Sequence, residues 1–328
     1  MPTPVRLNAL IVGSGWARQA ARAFAAREEV RVAGVVARGS QRSVALAVSL
    51  GVPLFDQLTE AIHETRPDLA VVAVGETSNP GISIELLRAG AHVLCAHPVA
   101  PTADEVSAVL LVAKAHGLIA STDYSLRLTE AFRIARASLA EMGSLLRVDI
   151  TFPGRFLPIA LDVAIALAGP VESVSAFGRY PAKLLARRRS APAAFPPTTI
   201  LEHAGGVVTA LTPSPHAAPA EAVRVSTSST GGRVDLALPA AGARRVRYTR
   251  GGAWEDTELV SPRGVAEGEE AFADAMRVLA DAFVDAVLGG RSPPCSLEDE
   301  AHVRKIWAAV PRALRERKPV VVDDPSPS

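Results

Sequence analysis

Gly13-Ser14-Gly15-Trp16-Ala17-Arg18 follows directly on the apolar run Leu10-Ile11-Val12 and opens an Ala-rich stretch with helical periodicity. A strand that ends in a glycine turn and runs into a helix gathers backbone N–H groups and the positive end of the helix dipole at one point. That is a place for a phosphate group. A second apolar run, Val32-Ala33-Gly34-Val35-Val36, leads into Arg38-Gly39-Ser40-Gln41-Arg42-Ser43. Strand, glycine turn, helix and second strand make up the first unit of a dinucleotide-binding fold, whose second strand commonly ends in Asp or Glu for the ribose 2′-hydroxyl. This chain has Arg38, Ser40 and Arg42 there instead. Two guanidinium groups and a hydroxyl suit a 2′-phosphate. The predicted cofactor is therefore NADPH/NADP, held by Gly13, Ser14, Gly15, Trp16, Ala17, Arg18, Arg38, Ser40 and Arg42. Arg18 stands where a third glycine would complete the fingerprint, so the turn carries weight only with the strand before it and the basic cluster after it. The plainer alternative is a strand–helix turn with solvated arginines. Arginines at a helix N-terminus oppose its dipole, and a bound anion accounts for them better.

Three further residues could do chemistry. His97-Pro98 follows the apolar run His92-Val93-Leu94-Cys95, and Tyr124 follows Ser121-Thr122-Asp123. Both lie where strands of a parallel sheet end, the edge at which open α/β sheets bind ligands. His97 and Pro98 are thus expected beside the cofactor. Asp162 lies near the start of a helical pattern, where an acid also serves simply to complement the dipole. Asp123 is a weaker candidate. His92, His116, His203 and His216 have no partner spacing and read as structural or surface residues. Cys95 ends an apolar strand and reads as a small buried residue.

The elements that must position these residues follow from hydrophobic patterning. Strands are predicted at Leu7 to Val12, Val30 to Val36, Leu69 to Val74, His92 to Cys95 and Leu118 to Ser121. Helical patterns lie between them at Arg18 to Ala26, Ser43 to Leu50, Leu58 to Glu64, Gly81 to Ala89 and Ala103 to His116. Continuous apolar strands alternating with helices imply a parallel sheet covered on both faces. After Tyr124 a helix (Leu128 to Glu141), a strand (Leu145 to Phe152) and a helix (Pro158 to Ala168) lead into a region of strands and turns from Val171 to Val260. Gly231-Gly232 and Gly251-Gly252 read as hairpin turns. Ala182 to Pro197 reads as an exposed loop, and helices follow at Glu269 to Leu288 and Leu297 to Arg317. The fold class is α/β. A doubly wound Rossmann domain over residues 1–123 precedes an α+β substrate and oligomerisation domain with a mostly antiparallel open sheet over 124–322, and 323–328 form a polar tail.

Composition bounds the function. The chain has 328 residues, 48% hydrophobic and 21% charged, with a formal net charge of +1. No field favours nucleic acid or a membrane surface, so neither is an expected partner. Only Cys95 and Cys295 occur, without metal-ligand spacing, and no metal is expected. No signal peptide is expected ahead of the first strand, which with free thiols implies a cytoplasmic protein.

The two-domain order resembles the glucose-fructose oxidoreductase/inositol dehydrogenase (Gfo/Idh/MocA) superfamily over nearly the whole chain. Within it, several patterns are similar to the thiazolinyl imine reductases of siderophore biosynthesis. These are the Gly13–Arg18 turn, Ala37 to Ser43 followed by Leu50-Gly51-Val52-Pro53-Leu54, His92-Val93-Leu94-Cys95-Ala96-His97-Pro98, and Leu157-Pro158-Ile159-Ala160-Leu161-Asp162. The His97-Pro98 pair is the most specific, because sugar dehydrogenases of the superfamily carry Glu-Lys-Pro at that site. They also carry Asp and His four residues apart on a later helix, whereas Asp162 here is followed by Ala166. The resemblance implies an NADPH-dependent reduction of a thiazoline ring to a thiazolidine while the substrate is tethered to a carrier protein or module of a nonribosomal peptide synthetase. His97, Tyr124 and Asp162 would be the catalytic residues, with Tyr124 or His97 the proton donor. It also implies a homodimer formed through the second sheet, and the sequence supports this through alternating strands with few covering helices. Alternatives are an NADP-dependent dehydrogenase or reductase of a free sugar or cyclitol, and a non-catalytic NADP-binding protein.

Overall fold

A computed structural model describes residues 6–178, 196–214, 223–238, 242–248, 254–260 and 269–322. The predicted loop at Ala182 to Pro197 (all but its last two residues), the Gly251-Gly252 turn, His216 and the tail lie outside the described residues. The chain divides into two compact units. One runs to Ser125 and includes Ala275–Ala301; the other takes Leu126–Asp274 and the chain from His302.

The first unit holds a six-stranded parallel sheet: β1 (Leu7–Val12), β2 (Val30–Val36), β3 (Leu54–Phe55), β4 (Leu69–Val72), β5 (His92–Cys95) and β6 (Ala120–Thr122). The order β3-β2-β1-β4-β5-β6 is doubly wound. Helices α1 (Ala17–Ala25), α2 (Gln41–Leu50), α3 (Leu58–Thr65), α4 (Asn79–Arg88) and α5 (Ala103–Ala115) alternate with the strands. The four residues of β4 are wholly buried, as a strand covered on both faces must be. Sequence patterning misses β3, because two residues carry no periodicity. Helix α5 starts with a capping box, Thr102 accepting from the Glu105 N–H while the Glu105 carboxylate accepts from the Thr102 N–H.

In the second unit α6 (Glu130–Ala140), β7 (Leu145–Pro153), α7 (Leu157–Ala168), β8 (Val171–Phe177), β9 (Thr198–His203), β10 (Val208–Ser214), β11 (Val223–Ser229), β12 (Gly232–Leu238), β13 (Gly242–Tyr248) and β14 (Trp254–Val260) precede α8 (Glu269–Gly289), α9 (Leu297–Glu316) and β15 (Val320–Val321). Of these, α8 lies mostly in the first unit and α9 begins there. The nine strands run in the order β14-β13-β12-β11-β7-β10-β9-β8-β15. The sheet is mostly antiparallel, but β7 and β10 pair in parallel, a feature with no sequence signal of its own. The turn between β11 and β12 is Thr230-Gly231, one residue before the predicted Gly231-Gly232, because Gly232 already pairs with Ser229. Val148, Ile150, Phe152, Val225, Val234 and Leu236 form the buried side of this sheet, and α6 and α7 pack on β12 and β7. The alternate residues are polar: Arg147 pairs with Asp149, Arg233 with Asp235, and Ser226 donates to Asp235. Elsewhere on the sheet Leu146, Phe177 and Val208 are exposed. No described helix is long and apolar enough to cross a membrane.

Two histidines, His92 half-buried in the first unit and His203 buried in the second, make each unit acid-sensitive. His92 Nδ1 accepts the Ile119 N–H at 2.9 Å, a role only the neutral ring can fill. His203 reaches Gly169 O at 2.7 Å and Thr209 Oγ1 at 2.8 Å. Burial is the main cause lowering both pKa values; Asp68 partly opposes it for His92, as the Gly169 carbonyl does for His203. A depressed folded-state pKa means that only the unfolded chain takes up the proton below the usual histidine value of about 6.5. The denaturation midpoint should stay level above about pH 6.5 and fall as the pH drops below it. His203→Gln should flatten that slope, and an unchanged slope would remove His203 as a source.

Candidate active site

The first glycine of the turn after β1 is demanded by packing. Gly13 has φ +105°, and a Cβ there would lie 2.2 Å from the Ala73 carbonyl oxygen. Gly15 differs: a Cβ there would meet nothing within 4 Å. Its bare backbone leaves open space over the start of α1, which has no acidic residue in its first turn and no side-chain cap. Ser14, Gly15, Trp16, Ala17 and Arg18 line this helix start. Across the β1–β2 pairing, Arg38, Ser40 and Arg42 form an exposed cluster after β2. Ser40 caps α2, accepting from the Ser43 N–H at 3.3 Å. Among the described residues neither Arg38 nor Arg42 has an ion-pair partner. Open backbone at a helix N-terminus beside two unpaired guanidinium groups fits a dinucleotide, with the pyrophosphate at the helix and a further anion at the arginines.

His97 follows β5 and Tyr124 follows β6, so sheet pairing alone brings them together: their ring centroids are 5.1 Å apart. Between them lies a residue that sequence reasoning missed. Glu300 is completely buried at the start of α9, and its Oε2 lies 2.8 Å from His97 Nδ1 and also accepts the Tyr124 hydroxyl. Its Oε1 accepts the Val99 N–H at 3.2 Å. The His97 side chain is only 7% exposed, so this pair works away from bulk water.

The chain brings Glu300 there through a series of anchors. Phe24 of α1 meets Phe283 of α8 edge to face, centroids 6.1 Å apart, a contact worth about 0.5–1.5 kcal/mol beyond its burial. Arg27 binds Asp281 and Asp285. The segment after α8 is tied to β6: Cys295 O accepts from Ser121 Oγ at 2.6 Å and from the Thr122 N–H at 3.1 Å. Ser296 then caps α9 by accepting from the Asp299 N–H, which sets Glu300 facing β5 and β6. The available signal was Glu300 on the same helical stripe as the buried Leu297, Ala301 and Arg304.

Asp123 is half-buried, and its carboxyl pKa is raised by burial, against the opposing effects of Ser125, His97 and the Trp16 indole. Cys95 lies beneath this cluster, bonded to Ser83 at 3.3 Å, its thiol pKa pushed up to about 12 by burial. A thiol so held is no nucleophile. Asp162 belongs to the second unit. It lies mid-helix in α7 rather than in its first turn, is buried, and pairs with Arg127 at 3.2 Å.

Residues 7–124 match the family model described as an oxidoreductase family with an NAD-binding Rossmann fold, GFO_IDH_MocA. No curated protein matches the chain. Among solved structures, levoglucosan dehydrogenase in complex with NADH and levoglucosan is 17% identical with a TM-score of 0.83, covering 97% of this chain and 100% of that one. GenD2 from gentamicin A biosynthesis, in complex with NAD, is 21% identical with a TM-score of 0.79, covering 99% and 98%. A putative NADPH-dependent oxidoreductase from Desulfitobacterium hafniense is 15% identical with a TM-score of 0.80, covering 98% and 99%. At these identities the likeness is one of fold.

Proposed function

We propose, for an oxidoreductase whose residues 7–124 carry the NAD-binding Rossmann fold of the Gfo/Idh/MocA family, the NADPH-dependent reduction of a cyclic C=N bond. The substrate is a thiazoline tethered to a carrier protein or module of a nonribosomal peptide synthetase, and the product is the thiazolidine. When bound, the nicotinamide supplies the hydride to the imine carbon. The protein must then align the ring and place one proton on its nitrogen. His97 supplies that proton. The observation that carries this role is the buried Glu300 carboxylate 2.8 Å behind the imidazole, which holds the ring in place. Asp162 does not compete for the task, because its charge is tied to Arg127 and Ala166 stands four residues on. Arg38 and Arg42, with Ser40, take the 2′-phosphate that distinguishes NADPH from NADH.

Oxidation of a free sugar or cyclitol hydroxyl is the second reading. The same imidazole can accept a hydroxyl proton, and levoglucosan dehydrogenase shares the fold. One experiment separates the two. The protein is given NADPH deuterated at C4 with a thiazolinyl thioester, and in parallel NADP with sugars. Deuterium on the ring carbon of a thiazolidine is the expected result. No turnover of any thiazoline, together with reduction of NADP by a sugar, would overturn the imine-reductase reading.

A further inference from the structure

We propose that Glu300 is a positioning residue that fixes His97 as its Nδ1–H tautomer, leaving Nε2 as the atom that carries the working proton, and that Tyr124 serves Glu300 rather than the substrate. The proposal rests on the reading of His97 as the proton-handling residue. Three donors converge on Glu300: the Val99 N–H on one oxygen, and the His97 ring and the Tyr124 hydroxyl on the other. An ionised carboxylate is acceptor-only and satisfies all three at once. The imidazole facing it must present a proton at Nδ1, and which nitrogen of a histidine works is set by the bond the other one makes. The other carboxyl near His97, that of Asp123, is engaged by the Ser125 N–H at 3.2 Å.

The same geometry reassigns Tyr124. Its side chain is 1% exposed and its hydroxyl proton points at Glu300. A phenol in that arrangement braces the carboxylate and packs against the His97 ring. The pair of rings and the carboxylate form one unit, in which the proton delivered to the substrate leaves from Nε2 and is replaced from water, while Nδ1–H stays on the Glu300 side throughout.

The test reads the tautomer directly in the cofactor-free full-length protein. Long-range ¹H–¹⁵N spectra of ¹⁵N-histidine-labelled protein, assigned with His97→Gln, are followed up to the pH at which the His97 ring is neutral. The expected neutral form has Nδ1 protonated and Nε2 bare. In Glu300→Gln the side-chain amide can donate to Nδ1, so the Nε2–H tautomer should appear. In Tyr124→Phe the Nδ1–H tautomer should persist. A neutral wild-type ring protonated at Nε2, or an unchanged tautomer in Glu300→Gln, overturns the role of Glu300. The wild-type result decides this even if Glu300→Gln does not fold. In turnover, Glu300→Gln should lower kcat by about 10²–10⁴-fold, with KM for NADPH unchanged, as a wrong tautomer does in other carboxylate–histidine pairs. Tyr124→Phe should lose far less, and a loss equal to that of His97→Ala would return Tyr124 to the role of proton donor. The spectra need no substrate, so failure to find thiazoline turnover would strike the proposed reaction and leave the tautomer result standing.

Discussion

Replacing His97 with alanine should lower kcat by about 10²–10⁴-fold, the usual contribution of a positioned acid or base. The NADPH dissociation constant should stay where it is, because the imidazole is held by Glu300 and acts at the reacting end of the cofactor, not at its phosphates. The expected split distinguishes chemistry from binding: a residue used only in the transition state lowers kcat and kcat/KM together. A smaller loss, near tenfold, would mean that the imine nitrogen draws its proton from water and that His97 only orients the ring. Unchanged turnover in His97→Ala would remove the residue from the mechanism.

The second large effect concerns the cofactor. Arg38→Ala should weaken NADPH by about 1.5–3 kcal/mol, roughly 10- to 150-fold, and leave NADH nearly unchanged. Both arginines are exposed and free of ion partners among the described residues, so removing one leaves no buried charge behind. The loss would report the phosphate contact alone. Arg42→Ala should act in the same direction. Titration calorimetry with both cofactors against each variant measures the effect, and equal weakening of NADPH and NADH would show that Arg38 acts on the fold rather than on the 2′-phosphate.

The Rossmann half was legible because its signals are local. Buried parallel strands are continuous apolar runs, and the glycine turn and the Arg38–Arg42 cluster each lie within one short stretch. His97 and Tyr124 were legible because the ends of parallel strands point at one edge of the sheet. Glu300 was not. It is 203 residues from His97 and sits in an acidic helix start, Glu298-Asp299-Glu300, where carboxylates ordinarily complement the dipole. Only the tertiary path through α8 and Cys295 turns this one inward. The same limit hid the parallel pairing of β7 with β10, which depends on how the chain returns rather than on any residue in either strand. The pairing of Asp162 with Arg127 has no sequence signal either, because nothing in their spacing marks them as partners.

This Rossmann domain is expected to bind a dinucleotide through Gly15 and the arginines after β2, with a 2′-phosphate as the distinguishing group. The most direct test is the pair of dissociation constants for NADPH and NADH on the wild-type protein, measured by titration calorimetry at one ionic strength. NADPH tighter by at least about tenfold, the value of one charge-assisted contact, is the predicted result; equal constants, or tighter NADH, would contradict it.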